Sequence, residues 1–280
     1  MLAGHCDNSL RMFDTHLTRW TLTADGDPIA TRSSRLLPVR QQGQPAMLKV
    51  AMDAEEVSGG ALMAWWEGQG AARVLAREGN AILLERATGK ISLAELARSG
   101  RDLEATRIIC AVTAKLHAPR SQPLPDLVPL AQWFGDLAPA AATHDGLLSL
   151  AAETARALLA EPRDVGVLHG DIHHGNILDF GERGWLAIDA KGLFGERGFD
   201  YANLFCNPDL ADPAHSVATA PGQFEQRLAV VSAVAGLERR RLLQWILAWT
   251  GLSAAWFLSD GEAPTISLRI ATLAAAELRR

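Results

Sequence analysis

A chain of 280 residues that is 48% hydrophobic and 21% charged carries apolar material for one or two ordinary cores and too little charge for disorder. Its formal net charge of -5 lacks the basic excess that neutralises nucleic-acid phosphates, which sets polynucleotides aside and suits a cationic small molecule. The three cysteines, Cys6, Cys110 and Cys206, are odd in number and widely spaced, which excludes a disulfide framework or a Cys-x-x-Cys zinc site and points to a reducing cytoplasm.

Residues 1–20 carry Asp7, Arg11, Asp14 and Arg19 and develop no apolar run, so no export signal is predicted. Residues 18–22, 36–39 and 47–50 read as strands, with Asp25-Gly26-Asp27-Pro28 and Gln42-Gly43-Gln44-Pro45 as the turns between them. Residues 55–66 are predicted helical although Gly59 and Gly60 weaken the pattern, and residues 81–84 form a short apolar run suited to a buried strand.

Beyond Leu84 the texture changes. Ala105, Ile108, Ile109, Val112 and Leu116 recur at helical spacing over residues 102–118, and residues 147–159 behave similarly until Glu161-Pro162 stops them. The proline-rich residues 119–129 between these helices read as a surface connection. Residues 165–168, then 177–180 and 185–188 about the turn Gly181-Glu182-Arg183-Gly184, suggest strands and a short hairpin with polar residues at both ends. From residue 224 onward the chain is predicted helical, interrupted at Gly251 and at Gly261-Glu262-Ala263-Pro264. The apolar stretch 242–258 falls short of the roughly 18 residues of a spanning helix and contains Gln244, Thr250 and Ser253, so it reads as a buried core helix and no membrane is implied. This order predicts an α+β, two-lobe molecule: an antiparallel-sheet lobe over residues 1–86 and a larger, mainly helical lobe over residues 87–280, with a ligand cleft between them.

The polar loop His169-Gly170-Asp171-Ile172-His173-His174-Gly175-Asn176 carries the chemistry. Asp171 and Asn176 stand five positions apart, as in the kinase loop H-R-D-x-x-x-x-N, and Asp189 follows thirteen residues after Asn176, past a strand, turn and strand. Phosphoryl transfer requires a carboxylate at the acceptor hydroxyl, hard oxygen ligands for Mg²⁺ and a cation on the phosphates. Asp171 suits the first role, and Asn176 and Asp189 the second. Lys49, inside the apolar strand Ala46-Met47-Leu48-Lys49-Val50, suits the third, with Glu55 or Glu56 as its partner. The three histidines of the loop do not form a zinc site, because Gly170 and Gly175 break any helix and the neighbouring oxygens suit magnesium; His169 is expected to fix the loop by hydrogen bonds. There is no Walker A loop, no G-x-S-x-G elbow and no G-x-G-x-x-G before Lys49, which leaves Ser33, Ser34 and backbone amides to cover a phosphate.

The run from Leu168 to Ile177 contains H-G-D-x-x-x-x-N, and together with Gly184-Trp185-Leu186-Ala187-Ile188-Asp189, residues 192–200, Ala202-Asn203 and Leu252-Ser253-Ala254-Ala255-Trp256 it resembles the aminoglycoside phosphotransferase family, in its streptomycin 6-phosphotransferase and hydroxyurea phosphotransferase branch. The resemblance covers nearly the whole chain. It implies a protein-kinase-like fold, ATP and Mg²⁺ as cofactors, Asp171 as catalytic base, Asn176 and Asp189 as metal ligands, Lys49 on the ATP phosphates and Glu56 as its partner. It implies adenine against the strand linking the lobes, near Glu85 and Ala87. Asp189 is followed by Ala190-Lys191 instead of Phe-Gly, and no Ala-Pro-Glu closes an activation segment, so a small-molecule acceptor is favoured over a protein. A cationic aminoglycoside would meet an acidic cleft, for which Asp200, Asp209, Asp212, Asp260 and Glu262 are the candidates beside Asp171. Hydroxyurea or another small hydroxylated metabolite is the alternative acceptor, and an inactive nucleotide-binding module the alternative from a different class. Oligomeric state has no sequence signal.

Overall fold

The structure, a computed structural model, describes residues 11–144 and 146–280. The reading of residues 1–10, Cys6 included, lies outside the described residues; Cys110 and Cys206 are buried free thiols.

The first segment differs from expectation. Residues 18–22 are not a strand: α1 (Asp14–Arg19) precedes β1 (Leu22–Ala24). The reason lies in the spacing of Phe13, Leu17 and Trp20, which puts all three on one side of a helix, where they pack on the sheet. The strands β2 (Ile29–Ala30), β3 (Ser34–Gln41), β4 (Gln44–Ala51), β5 (Val74–Glu78) and β6 (Ala81–Glu85) complete a sheet in the order β1-β3-β4-β6-β5, with β2 also on β3. β3 and β4 form a hairpin about Gln42 and Gly43, both at positive φ, which sets Lys49 opposite Leu36 and Ile82. Strand alternation then sorts the residues: Ala46, Leu48 and Val50 join Phe13, Leu37, Val39 and Leu83 in one core, and Lys49 is turned to the other face.

That other face meets α2 (Ala54–Trp65). Asp53 caps this helix, accepting from the Glu56 amide at 2.9 Å, an arrangement worth about 1 kcal/mol. Gly59 sits mid-helix for a tertiary reason, since a Cβ there would overlap the Ala190 carbonyl. The glycine lets α2 press against the segment that follows Asp189.

After β6 the chain enters the helical lobe through α3 (Leu93–Leu96) and α4 (Asp102–Leu116), then β7 (Val128–Pro129), α5 (Leu130–Trp133), a 3-10 turn over Phe134–Asp136, α6 (Leu137–Thr143) and α7 (Leu147–Ala160). The strands β8 (Val165–Leu168), β9 (Ile177–Asp179), β10 (Trp185–Ala187) and β11 (Leu193–Glu196) form two small sheets, the β9-β10 hairpin and β7-β11-β8. The helices α8 (Gln223–Ala235), α9 (Arg239–Ser259) and α10 (Thr265–Leu278) close the lobe. α9 is long and apolar enough to cross a membrane, but 72% of its most apolar window is buried inside the protein. Gly251 does not interrupt it as expected; a Cβ there would overlap Ala151, so the glycine permits a close approach of α9 to α7.

Candidate active site

The polar loop 169–176 leaves β8 of one small sheet at His169 and enters β9 of the other at Ile177. Its backbone is pinned from below by Asp200, which accepts from the amides of His169 (2.9 Å) and Gly170 (2.7 Å) and from His117 Nε2 at 2.8 Å. His169 accepts the Asp171 amide on Nδ1 at 3.2 Å, so its proton sits on Nε2, which donates to the Ile188 carbonyl at 2.8 Å. Burial pushes the pKa of this imidazole down, which keeps it neutral for that pair of bonds.

These bonds aim Asp171. Its Oδ2 accepts from Asn176 Nδ2 at 3.1 Å and its Oδ1 from Asn203 Nδ2 at 2.7 Å, so both oxygens are oriented by amides. Burial would raise its carboxyl, but His173, Lys191 and His169 outweigh it and hold the group at about 2. Asp171 is therefore ionised throughout the neutral range.

Asn176 and Asp189 meet at the same mouth because the Ile188 amide donates to the Asn176 carbonyl at 2.9 Å, across the base of the β9-β10 hairpin. Asp189 adopts φ +63, a left-handed conformation uncommon outside glycine and concentrated at functional sites. Burial raises its carboxyl, yet Lys49 and Lys191 reverse the shift and lower it. Lys49, 9% exposed, ion-pairs with both Glu56 and Asp189. Glu56 in turn accepts from Ser33 and Lys191, each at 2.9 Å. One buried carboxylate thus holds two ammonium groups at the point where the sheet lobe, α2 and the Asp189 segment converge. The Asn176 amide group donates its N–H to Asp171, which leaves its carbonyl oxygen as a hard donor; with the Asp189 carboxylate this is an oxygen set suited to Mg²⁺, a cation that draws further ligands from phosphates and water.

Asp171 also lines a cavity of about 850 Å³ between the lobes, together with Ser33, Lys191 and the carboxylates of Asp53, Glu55, Asp136 and Asp260. Other expected residues are placed elsewhere. Asp200 is 1% exposed, with its oxygens on the loop backbone, and Asp209 is fully buried, accepting from the amides of Val217, Ala218 and Thr219. Neither faces an acceptor; both are buried anchors of backbone amides. Asp212 pairs with Arg98 at 3.1 Å, and Glu262 is exposed and does not line the cavity. Ser34, 2% exposed, is buried at the start of β3 and not presented to the cleft. Glu85 ends β6 with its carboxylate on Arg183 and the Arg73 amide, and Ala87 follows in the segment joining the lobes.

The sequence reading gave no role to Lys191 or Asn203, both of which touch the residues it did select. In the sequence Lys191 stands out only as a departure after Asp189, and Asn203 only within the Ala202-Asn203 pair that carries part of the family resemblance.

The chain is similar to known antibiotic kinases over most of its length. A streptomycin 3''-kinase of Klebsiella pneumoniae is 58% identical over 245 residues, covering 88% of this chain and 92% of that protein. A streptomycin 6-kinase of Streptomyces glaucescens is 31% identical over 266 residues, covering 88% and 82%. The crystal structure of a thermostable mutant of aminoglycoside phosphotransferase APH(4)-Ia, in ternary complex with ADP and hygromycin B, shares the fold at a TM-score of 0.65 and 14% identity, over 94% of this chain and 97% of that one. The family description "Aminoglycoside/hydroxyurea antibiotic resistance kinase" matches residues 19–261, and the chain belongs to that kinase family.

Proposed function

We propose that the chain transfers the γ-phosphoryl group of ATP, with Mg²⁺, to a hydroxyl of a streptomycin-like aminoglycoside, and so inactivates the antibiotic. The observation that carries this reading is the position of Asp171: amide-oriented, on the wall of a large acid-lined cavity, and bonded by Asn176, whose carbonyl accepts the Ile188 amide next to Asp189 of the Lys49-Glu56-Asp189 cluster. Bound Mg²⁺ would supply charge neutralisation on the nucleotide phosphates, held by Asn176 and Asp189. Lys49 binds the phosphates, and Glu56 keeps its ammonium in place. Ser33 lies beside Glu56, where its hydroxyl can cover a phosphate. Asp171 accepts the hydrogen bond of the acceptor hydroxyl and takes its proton as the new O–P bond forms and the bond to ADP breaks. The adenine is assigned to the segment around Glu85 and Ala87.

The size of the cavity favours an aminoglycoside: about 850 Å³ is many times what hydroxyurea fills. The intact quartet of Lys49, Asp171, Asn176 and Asp189 argues against an inactive module. The relatives' names divide over the hydroxyl, 3'' or 6, so the product's position is to be read directly from the phosphorylated antibiotic by NMR. ADP release with streptomycin, ATP and Mg²⁺ tests the proposal. Asp171→Ala is expected to lose about three orders of magnitude in kcat with ATP affinity nearly unchanged; undiminished turnover in that variant would overturn the mechanism.

A further inference from the structure

The acceptor cavity has one wall made of indoles. Trp249 and Trp256, two turns apart on α9, share a face, and Trp133 closes on them from the end of α5. Trp133 and Trp256 meet edge to face, with centroids 5.8 Å apart and planes at 81°. Three of the chain's eight tryptophans thus line a single cavity next to the catalytic loop. Such a wall favours a planar, weakly hydrated cation over a strongly hydrated ammonium group.

The lining carboxylates are not equivalent. Asp53 caps α2, Glu55 faces Lys191 at 3.4 Å, Asp260 is bonded to Arg32 at 2.6 Å, and Asp171 serves the chemistry. Asp136 alone among them has neither a cation nor a helix cap among the described residues. It is exposed at the end of the turn that begins after Trp133, and its Oδ2 accepts from Trp256 Nε1 at 3.0 Å. That bond fixes the carboxylate against the indole and leaves Oδ1 for a ligand. The two cations on the lining, Arg32 and Lys191, are both committed to carboxylates, so the corner is left negative.

We propose that Trp133, Trp256 and Asp136 form a guanidinium subsite of the acceptor cavity. The proposal rests on the aminoglycoside reading above and narrows it to acceptors bearing guanidine groups. A guanidinium is planar and weakly hydrated, so it stacks on or packs against an indole while its N–H fork donates to a carboxylate; an ammonium is a compact, strongly hydrated point charge that gains less from either. The subsite discriminates between aminoglycosides whose cyclitol carries guanidines and those whose cyclitol carries amines.

Two cyclitols that differ only in this respect, streptidine with guanidines and streptamine with amines, provide the test by calorimetric titration of the full chain. Streptidine is expected to bind about tenfold or more tighter than streptamine, with the preference lost in Asp136→Asn and in Trp133→Leu and partly kept in Trp133→Phe. For streptomycin phosphorylation, Asp136→Asn and Trp133→Leu are expected to raise the acceptor KM about tenfold while leaving the ATP KM unchanged. Melting curves of Asp136→Asn, an exposed substitution, report whether the fold is intact. Equal affinity for the two cyclitols, no binding of streptidine, or an unaltered preference in a folded Asp136→Asn overturns the subsite. Tight streptidine binding without ADP release on streptomycin would instead support the subsite and sink the proposed reaction.

Discussion

Asp171 is steered by two amides from different parts of the chain: Asn176 lies in its own loop and bonds Oδ2, whereas Asn203 follows β11 and bonds Oδ1. Asn203 is itself held, since Asn207 Nδ2 donates to its side-chain oxygen at 2.8 Å and to its carbonyl at 3.2 Å. Removing one of the two steering bonds lets the carboxylate rotate away from the acceptor. Asn203→Ala is therefore expected to lower kcat by about 10- to 100-fold, equivalent to roughly 1.4–3 kcal/mol of transition-state stabilisation, with the ATP KM unchanged. Because Asn207 then loses a buried acceptor, stability should fall by about 1–3 kcal/mol in a denaturant titration. A folded Asn203→Ala protein with wild-type kcat would show that Asn176 alone suffices. These residue-scale roles were only half legible in the sequence. Lys49, Asp171, Asn176 and Asp189 stood out because their spacing in the chain mirrors a known division of labour. Asp200 and Asp209 looked like cleft acids because a sequence does not distinguish a carboxylate bonded to buried amides from one facing a ligand.

At the scale of elements, the catalytic loop is tied to two helices by a buried polar cluster. His174, 2% exposed, lies 3.9 Å from Asp102 at the start of α4, and Arg227 of α8 donates to Asp102 through Nε at 2.9 Å and to the carbonyls of Leu204 and Asn207 at 2.7 Å. Burial would raise Asp102, but Arg227 outweighs it and holds the carboxyl at about 2. Burial drives His174 down to about 4 from 6.5, more than Asp102 restores. Between these two values the unfolded chain binds a proton that the folded chain refuses, so His174 makes the protein less stable as pH falls from 6.5 toward 4. The loss from this one group amounts to about 2 kcal/mol between pH 7 and pH 5. His174→Leu, which removes a ring without hydrogen bonds among the described residues, should flatten the stability profile between pH 7 and 5 by that amount; an unaltered slope in urea titrations would assign the pH dependence to other groups. Asp102 acts in a separate, lower window, its contribution being present above 3.8 and lost toward 2.

Elements were readable where their signals were local. The β9-β10 hairpin, α4 and α7 follow from periodicity and turn residues, whereas the strand expected over residues 18–22 overlaps the end of α1 and the start of β1, and packing of Phe13 and Leu17 on the sheet decides for a helix before Trp20. Gly59 and Gly251 looked like helix breakers for the same reason. Their purpose is a contact with Ala190 and Ala151, respectively, far away in the chain.

For the whole molecule, the two lobes meet at two levels that differ in kind. Deep in the cleft, Lys49, Glu56, Asp189 and Lys191 form a buried charge cluster, and α2 touches the Ala190 carbonyl through Gly59. At the mouth, Arg32 of the β2-β3 loop reaches Asp260 at the end of α9 through two bonds of 2.6 and 3.1 Å, with 85% of the arginine side chain exposed. A pair this exposed is screened by salt and adds little to stability, so it can be exchanged when a cationic acceptor competes for Asp260. Arg32→Ala removes a positive charge from the cavity lining and frees that carboxylate. The expected result is a melting temperature within about 2 °C of wild type, as for other surface changes, together with a KM for streptomycin lowered a few-fold at low ionic strength. The gain should vanish at roughly 0.5 M salt, where the Debye length shrinks to a few ångströms. A raised KM for streptomycin at low salt would show instead that Arg32 itself holds the substrate or the nucleotide, and a salt-independent difference would remove the electrostatic explanation.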